Sequence, residues 1–250
     1  MSGTKQSLIF AHRGANKEAA ENTRSAFDKA LAYPIDGIET DVQLTRDEVA
    51  VLWHDRFLDK LGLPGKHIDD FNHAQFQAMN FAGHFSTASK AESIMTLQAF
   101  LDAYRKRCRL VIEIKNRDWE PVARHHIKVR QTLAMVGEVH DDNIMVSSFD
   151  LASLVYAHQC VPGFPLVYNF ETNQTFEEAK QVLATHHFLH GLCLPIESLD
   201  EAMVKLLRDQ GKCIAVYTCN SDAEINKALK LGVDILISDV PQKAIQLRDK

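Results

Sequence analysis

Short runs dense in Val, Ile, Leu and Tyr recur along the chain, and between them apolar residues return every three or four positions. The runs fall at 8–12 (LIFAH), 37–42 (GIETDV), 50–54 (AVLWH), 109–115 (RLVIEIK), 143–148, 165–169, 191–195, 213–218 and 234–238. Most are almost continuously apolar, which is the pattern of strands buried on both faces. Helical spacing falls near 23–33, 97–107, 121–137, 150–160, 174–186, 199–210 and 221–231. Strand and helix patterns in alternation predict a parallel sheet with crossover helices.

Nine runs are one too many for an α/β chain folded as a (β/α)8 TIM barrel. Residues 43–49 resolve the count. They alone separate the second run from the third, and a parallel crossover needs about a dozen residues or more. The link is therefore a hairpin, and the run at about 50–54 is an antiparallel arm. Eight parallel strands remain, and 250 residues is a usual length for that barrel. No GxGxxG follows the first run, which counts against an open doubly wound sheet. Residues at about 55–96 break the repeat, with turn signals around a short helical pattern near 70–79. So long a stretch over one strand end reads as a cap-like insertion. Phe71, Phe76, Phe81 and Phe85 there suit either a small core or an apolar rim. No Gly-, Ser- or Pro-rich linker interrupts residues 1–250, so a single domain is expected.

Composition narrows the partners. The chain is 46% hydrophobic and 24% charged, which is ordinary globular usage and excludes disorder. A net charge of −5 argues against non-specific binding to nucleic acid or an acidic membrane. No apolar run approaches the ~18 residues of a membrane span. The stretch Leu8–Ala11 is too short for a signal-peptide core. Cys108, Cys160, Cys193, Cys213 and Cys219 form no CxxC, and free thiols in a reducing cytoplasm are expected.

The chemistry concentrates at strand ends. Residues two apart in a strand share a face, so Glu39 and Asp41 point the same way, as do Glu113 and Lys115. At the C-terminal ends of barrel strands these groups converge on the mouth, where barrel active sites lie. Gathering three acids there requires either salt bridges to neighbouring Arg and Lys or a cation. Oxygen donors without cysteine suit a hard ion, Mg²⁺ or Ca²⁺. His12 ends the first run, Arg13 can grip a phosphate or carboxylate bidentately, and Gly14 permits a close turn. His54 ends the arm, and hairpin geometry alone leaves its position open. Glu21-Asn22-Thr23 precedes the first helix, where Asn22 or Thr23 would cap it and Glu21 could hold Arg13 or a substrate hydroxyl.

Together these residues resemble the glycerophosphodiester phosphodiesterase family, whose opening signature is His-Arg-Gly, Pro-Glu-Asn-Thr, Glu-x-Asp and His-Asp. Here it reads His12-Arg13-Gly14, Ala20-Glu21-Asn22-Thr23, Glu39-Thr40-Asp41 and His54-Asp55. Glu113-Ile114-Lys115, Ser148-Phe149, Tyr217-Thr218-Cys219-Asn220 and the run from Gly232 to Pro241 also fit, in order. The resemblance implies a cytoplasmic barrel enzyme that hydrolyses small glycerophosphodiesters, such as glycerophosphocholine or glycerophosphoethanolamine, to glycerol 3-phosphate and an alcohol. By matching position, His12 and His54 would be the acid–base pair, and Glu39, Asp41 and Glu113 would hold the divalent cation. Arg13 and Lys115 would bind phosphate, with Glu21, Asn22, Phe149 and Asn220 in support. A phospholipase C- or D-like enzyme acting on a lipid head group is the alternative. The sequence departs from the signature at Ala20, which loosens the turn, and after Asp55 and at Ser93–Leu97, in or next to the insertion, which bears on alcohol specificity.

Overall fold

The computed structural model describes residues 6–85, 90–137 and 143–250. His140 and part of the stretch at about 55–96 lie outside them. The strands are β1 (Leu8–His12), β2 (Gly37–Leu44), β3 (Ala50–Leu52), β4 (Arg109–Ile114), β5 (Ile144–Ser148), β6 (Leu166–Asn169), β7 (Gly191–Pro195), β8 (Cys213–Tyr217) and β9 (Ile235–Ser238). All but β3 are parallel, and β1 pairs with both β9 and β2, which closes an eight-stranded (β/α)8 barrel. β3 pairs antiparallel with the extension of β2, Val42 opposite Leu52. The arm expected at about 50–54 therefore exists but ends at Leu52. Trp53 and His54 lie beyond it, although the Trp53 N–H still donates to the Asp41 carbonyl of β2 at 3.2 Å.

The helices are α1 (Arg24–Ala30), α2 (His73–Phe76), α3 (Leu97–Tyr104), α4 (Val122–Val136), α5 (Leu151–Cys160), α6 (Phe176–Thr185), α7 (Glu201–Asp209), α8 (Asp222–Leu231) and α9 (Pro241–Arg248). Their starts follow from the sequence. Thr23 and Thr96 cap α1 and α3, and Thr175 and Ser221 form capping boxes with Glu178 and Glu224. The seven expected helices are present, while α9 was not expected. It is short and buries only Pro241, Ala244 and Ile245, so its periodicity is faint, although Pro at its start is a helix signal.

Alternation along the strands builds two cores. Outward-facing residues such as Ile9, Ile38, Ile112 and Leu236 pack under the helices. Inward-facing Phe10, Val111, Met145, Val167, Cys193, Ala215, Ile235 and Ile237 fill the lumen. Phe10 can plug it because residue 37 is glycine: a Cβ there would lie 2.4 Å from the Phe10 ring. The insertion has a core of its own, in which Val51, Trp53, Leu58, Ile68, Phe76 and Phe81 are buried. Trp53 and Phe76 each meet Phe81 edge-on at 5.5 Å. Phe71 is partly buried against the same cluster. Of the two uses open to the insertion's phenylalanines, Phe71, Phe76 and Phe81 thus serve a core.

Candidate active site

The inward positions one layer above the lumen plug are polar. His12 stands two residues past Phe10, Glu113 two past Val111, Ser147 two past Met145 and Asn169 two past Val167. Register aligns them: His12 pairs with Glu39, and Asp41 with Glu113. His12, Glu39, Glu113, Lys115, Ser147 and Asn169 share a cavity of about 150 Å³ with Arg13, His54, Phe149 and Tyr217. A larger cavity, about 560 Å³, lies outside the barrel beside α1 and α3 and carries no comparable set of groups.

Carboxylate oxygens of Glu39, Asp41 and Glu113 lie within 4.8 Å of one another, all buried. Asp41 is the best compensated. Lys115 Nζ lies 3.1 Å from one of its oxygens, Arg13 Nε 3.2 Å from the other, and Asn22 Nδ2 donates to it at 3.0 Å. Burial alone would raise the Asp41 carboxyl, but Lys115 and Arg13 hold it well below the usual carboxylate range. Glu113 contacts Lys115 at 2.5 Å. Glu39 has neither cation: its Oε2 is buried without a hydrogen-bond partner, 3.8 Å from His12 Nε2. Burial, then Asp41 and Glu113, push the Glu39 carboxyl far above its ordinary value. Of the two expectations for these acids, salt bridging is seen at Asp41 and Glu113, although burial still raises the Glu113 carboxyl, and Glu39 has no ion pair with Arg13 or Lys115. Three oxygen donors, one orphaned, fit a hard divalent cation.

Arg13 reaches these acids because the chain turns sharply after β1. Arg13 and Gly14 both have positive φ, +56° and +84°. A Cβ on Gly14 would lie 2.6 Å from the Ala26 carbonyl carbon, so the turn packs directly on α1. Glu21 binds Arg13 at 3.1 Å and Lys60 of the insertion at 2.9 Å, so it ties the β1 turn to the insertion. Asn22 is not the helix cap. With φ +57° it turns inward, donates to Asp41 and accepts from Thr40 Oγ1 at 2.8 Å. Phe149 lies 5.5 Å under the Lys115 ammonium and edge-on to Tyr217.

The two histidines are held by different means. His12 Nδ1 donates to Asp239 Oδ1 at 2.6 Å, which leaves Nε2 facing Glu39. Asp239 is itself held by Asn16 at 2.6 Å, Asn220 at 2.9 Å and Lys17 at 3.3 Å. Burial and then Arg13 lower the pKa of His12 against the pull of Asp239. His54 is placed by Gln43 on β2, whose amide donates to the carbonyls of Trp53, His54 and Asp55 at 2.8, 3.4 and 3.1 Å. Its Nδ1 pairs with Asp55 at 2.9 Å. Sequence reasoning missed Asp239, Asn16 and Gln43. Asp239 could have been noticed, since it follows the last strand at the same rim as the other candidates.

A sequence model described as the glycerophosphoryl diester phosphodiesterase family matches residues 12–243. A glycerophosphodiester phosphodiesterase of Bacillus altitudinis is 28% identical over 251 residues, covering 97% of this chain and 98% of its own. A glycerophosphodiester phosphodiesterase from Agrobacterium tumefaciens has a solved structure with TM-score 0.76 and 25% identity, covering 94% of this chain and 97% of that one. An Oleispira antarctica phosphodiesterase, solved in complex with the product sn-glycerol-3-phosphate, superposes with TM-score 0.84 at 22% identity over 98% of both chains. A match from the His12 turn to the final helix means that the chain belongs to the glycerophosphoryl diester phosphodiesterase family, and so to the phosphoric diester hydrolases.

Proposed function

We propose that this protein hydrolyses small glycerophosphodiesters, such as glycerophosphocholine or glycerophosphoethanolamine, to glycerol 3-phosphate and an alcohol. The carrying observation is the trio Glu39, Asp41 and Glu113, with a buried unpartnered Glu39 oxygen, on a cavity that His12 and His54 share. Product capture by the Oleispira relative supports the reaction class. Glu39, Asp41 and Glu113 would hold Mg²⁺ or Ca²⁺, which when bound supplies Lewis-acid stabilisation of the phosphate oxygens.

The chain's own groups do the rest. Arg13 and Lys115 contribute two positive charges against a monoanionic diester and meet charge growing on its non-bridging oxygens. One histidine accepts a proton as the nucleophile attacks, and the other returns one to the departing alcohol. Asp239 fixes the His12 ring so that Nε2, and not Nδ1, faces the cavity. Phe149 and Tyr217 wall the cavity beside Lys115. The barrel and its cap-like insertion, about 55–96, act as one domain, joined at the site by the Glu21–Lys60 ion pair.

We place the enzyme in the cytoplasm: its five cysteines are not disulfide-bonded, which suits a reducing compartment. Among the described residues no helix is long and apolar enough to cross a membrane. The test is a panel of glycerophosphodiesters assayed for released glycerol 3-phosphate, with and without chelator. Release that stops with chelator and returns with Mg²⁺ or Ca²⁺ is expected; release that survives metal removal would overturn the metal assignment.

A further inference from the structure

We propose that a buried ion pair behind β4, Lys128 with Glu120, positions both Lys115 and His54. The inference rests on the roles given above to those two residues. Lys128 projects from α4 and has no exposed surface, a rare setting for a lysine. Its ammonium donates to the backbone carbonyl of Lys115 and to Glu120 Oε2, the latter at 2.7 Å. Lys115 is the first residue past β4. Its N–H still binds Val42 at 3.0 Å, but its carbonyl lies beyond the sheet ladder and is taken by Lys128.

Glu120 acts toward the other side. Its Oε2 accepts the Arg117 backbone N–H at 3.1 Å, and its Oε1 lies 3.3 Å from Arg124 Nε. The Arg117 carbonyl in turn binds His125 Nε2 at 3.0 Å. Arg117, fixed at both backbone groups, extends its guanidinium to the backbone carbonyl of His54. One buried pair thus holds the carbonyl beside the phosphate-binding ammonium and, through Arg117, the segment that carries His54.

Stability is a weak reason for such a pair. Taking two charges out of water is costly, and apolar replacements are often as stable or more so. Geometry is the stronger reason, because a displacement of about 1 Å at a reacting group can cost on the order of 10²-fold in rate. Lys128 and Glu120 touch no part of the cavity, so they are positioning residues.

The test compares Lys128→Met with the double variant Lys128→Met, Glu120→Gln on the full-length protein. Removing Lys128 alone leaves a buried, undercompensated carboxylate and should lower the melting temperature. The second change removes that charge and keeps an acceptor for Arg117, so it should return most of the lost stability. If the pair positions the site, kcat on glycerophosphocholine with Mg²⁺ stays down by about tenfold or more in the double variant, well below its melting temperature, with KM within about twofold. Recovery of kcat along with the melting temperature would overturn the proposal, as would a change confined to KM. Should Lys128→Met fail to fold, Glu120→Gln alone is judged by the same split. Lys115→Ala is assayed alongside. If it keeps full activity, the phosphate role of Lys115 falls and this inference falls with it. If it is inactive while the pair variants match wild type, this inference alone fails.

Discussion

His12 Nδ1 and Asp239 Oδ1 lie 2.6 Å apart although 227 residues separate them in the chain. The contact joins the first barrel strand to the last, across the seam where the sheet closes. Asp239 is not free to move, since Asn16, Asn220 and Lys17 each hold one of its oxygens. Replacing it with Asn should leave the fold intact and disturb the His12 tautomer, with a loss in kcat on the order of 10²-fold or more. Steady-state kinetics beside a metal-binding titration check this. A variant within a few-fold of wild type would show that the carboxylate is only structural.

Metal should stabilise as well as activate. A cation that binds the folded carboxylates and not the unfolded chain adds RT ln(1 + [M]/Kd), about 2.7 kcal/mol at a hundredfold excess over Kd. Melting temperature should therefore rise with Mg²⁺ or Ca²⁺, and Glu39→Gln should blunt the rise. An unchanged melting temperature at saturating metal would mean that the three acids bind no cation in the folded state.

The histidine roles can be separated by leaving group. His12→Ala and His54→Ala should each cut kcat by about 10²–10⁴-fold on a natural diester. A nitrophenyl phosphodiester departs without protonation, so it should partly rescue the variant that lacks the acid and not the one that lacks the base. Equal rescue of both, or of neither, would count against a division of labour between them.

Burial depresses the Lys128 ammonium to about 8, with Glu120 opposing. The sign follows from proton binding. Between about pH 8 and the unfolded lysine value near 10.4, the unfolded chain binds more protons, so this group's contribution to stability grows as pH rises. Denaturant unfolding of wild type and Lys128→Met should therefore diverge from pH 8 to 10. Wild type should gain on the order of 2–3 kcal/mol relative to the variant. Parallel curves would mean that Lys128 is not depressed in the folded state.

Much of the site is legible in the sequence because strands alternate with a fixed period of two. That period alone puts Glu39 with Asp41, and Glu113 with Lys115, on shared faces, and a short link is enough to demote β3 to an arm. What escapes is long-range or dependent on side-chain bonding. His54 is aimed by the Gln43 amide, which binds three successive carbonyls, and no periodicity reports such contacts. Asn22 resembles a cap because Asn favours caps, yet the same tolerance for positive φ lets it turn inward to Asp41. α9 has too few apolar positions to announce itself.

The Phe10 ring, seated over the bare backbone of Gly37, also fills the lumen beneath the polar layer. With the lumen floor stoppered beneath His12, diester, water, glycerol 3-phosphate and alcohol all share the mouth under the insertion. Traffic is therefore in and out by the same door. If Arg13 and Lys115 bind phosphate as proposed, glycerol 3-phosphate held there would block the next substrate, and its inhibition should be competitive with the diester.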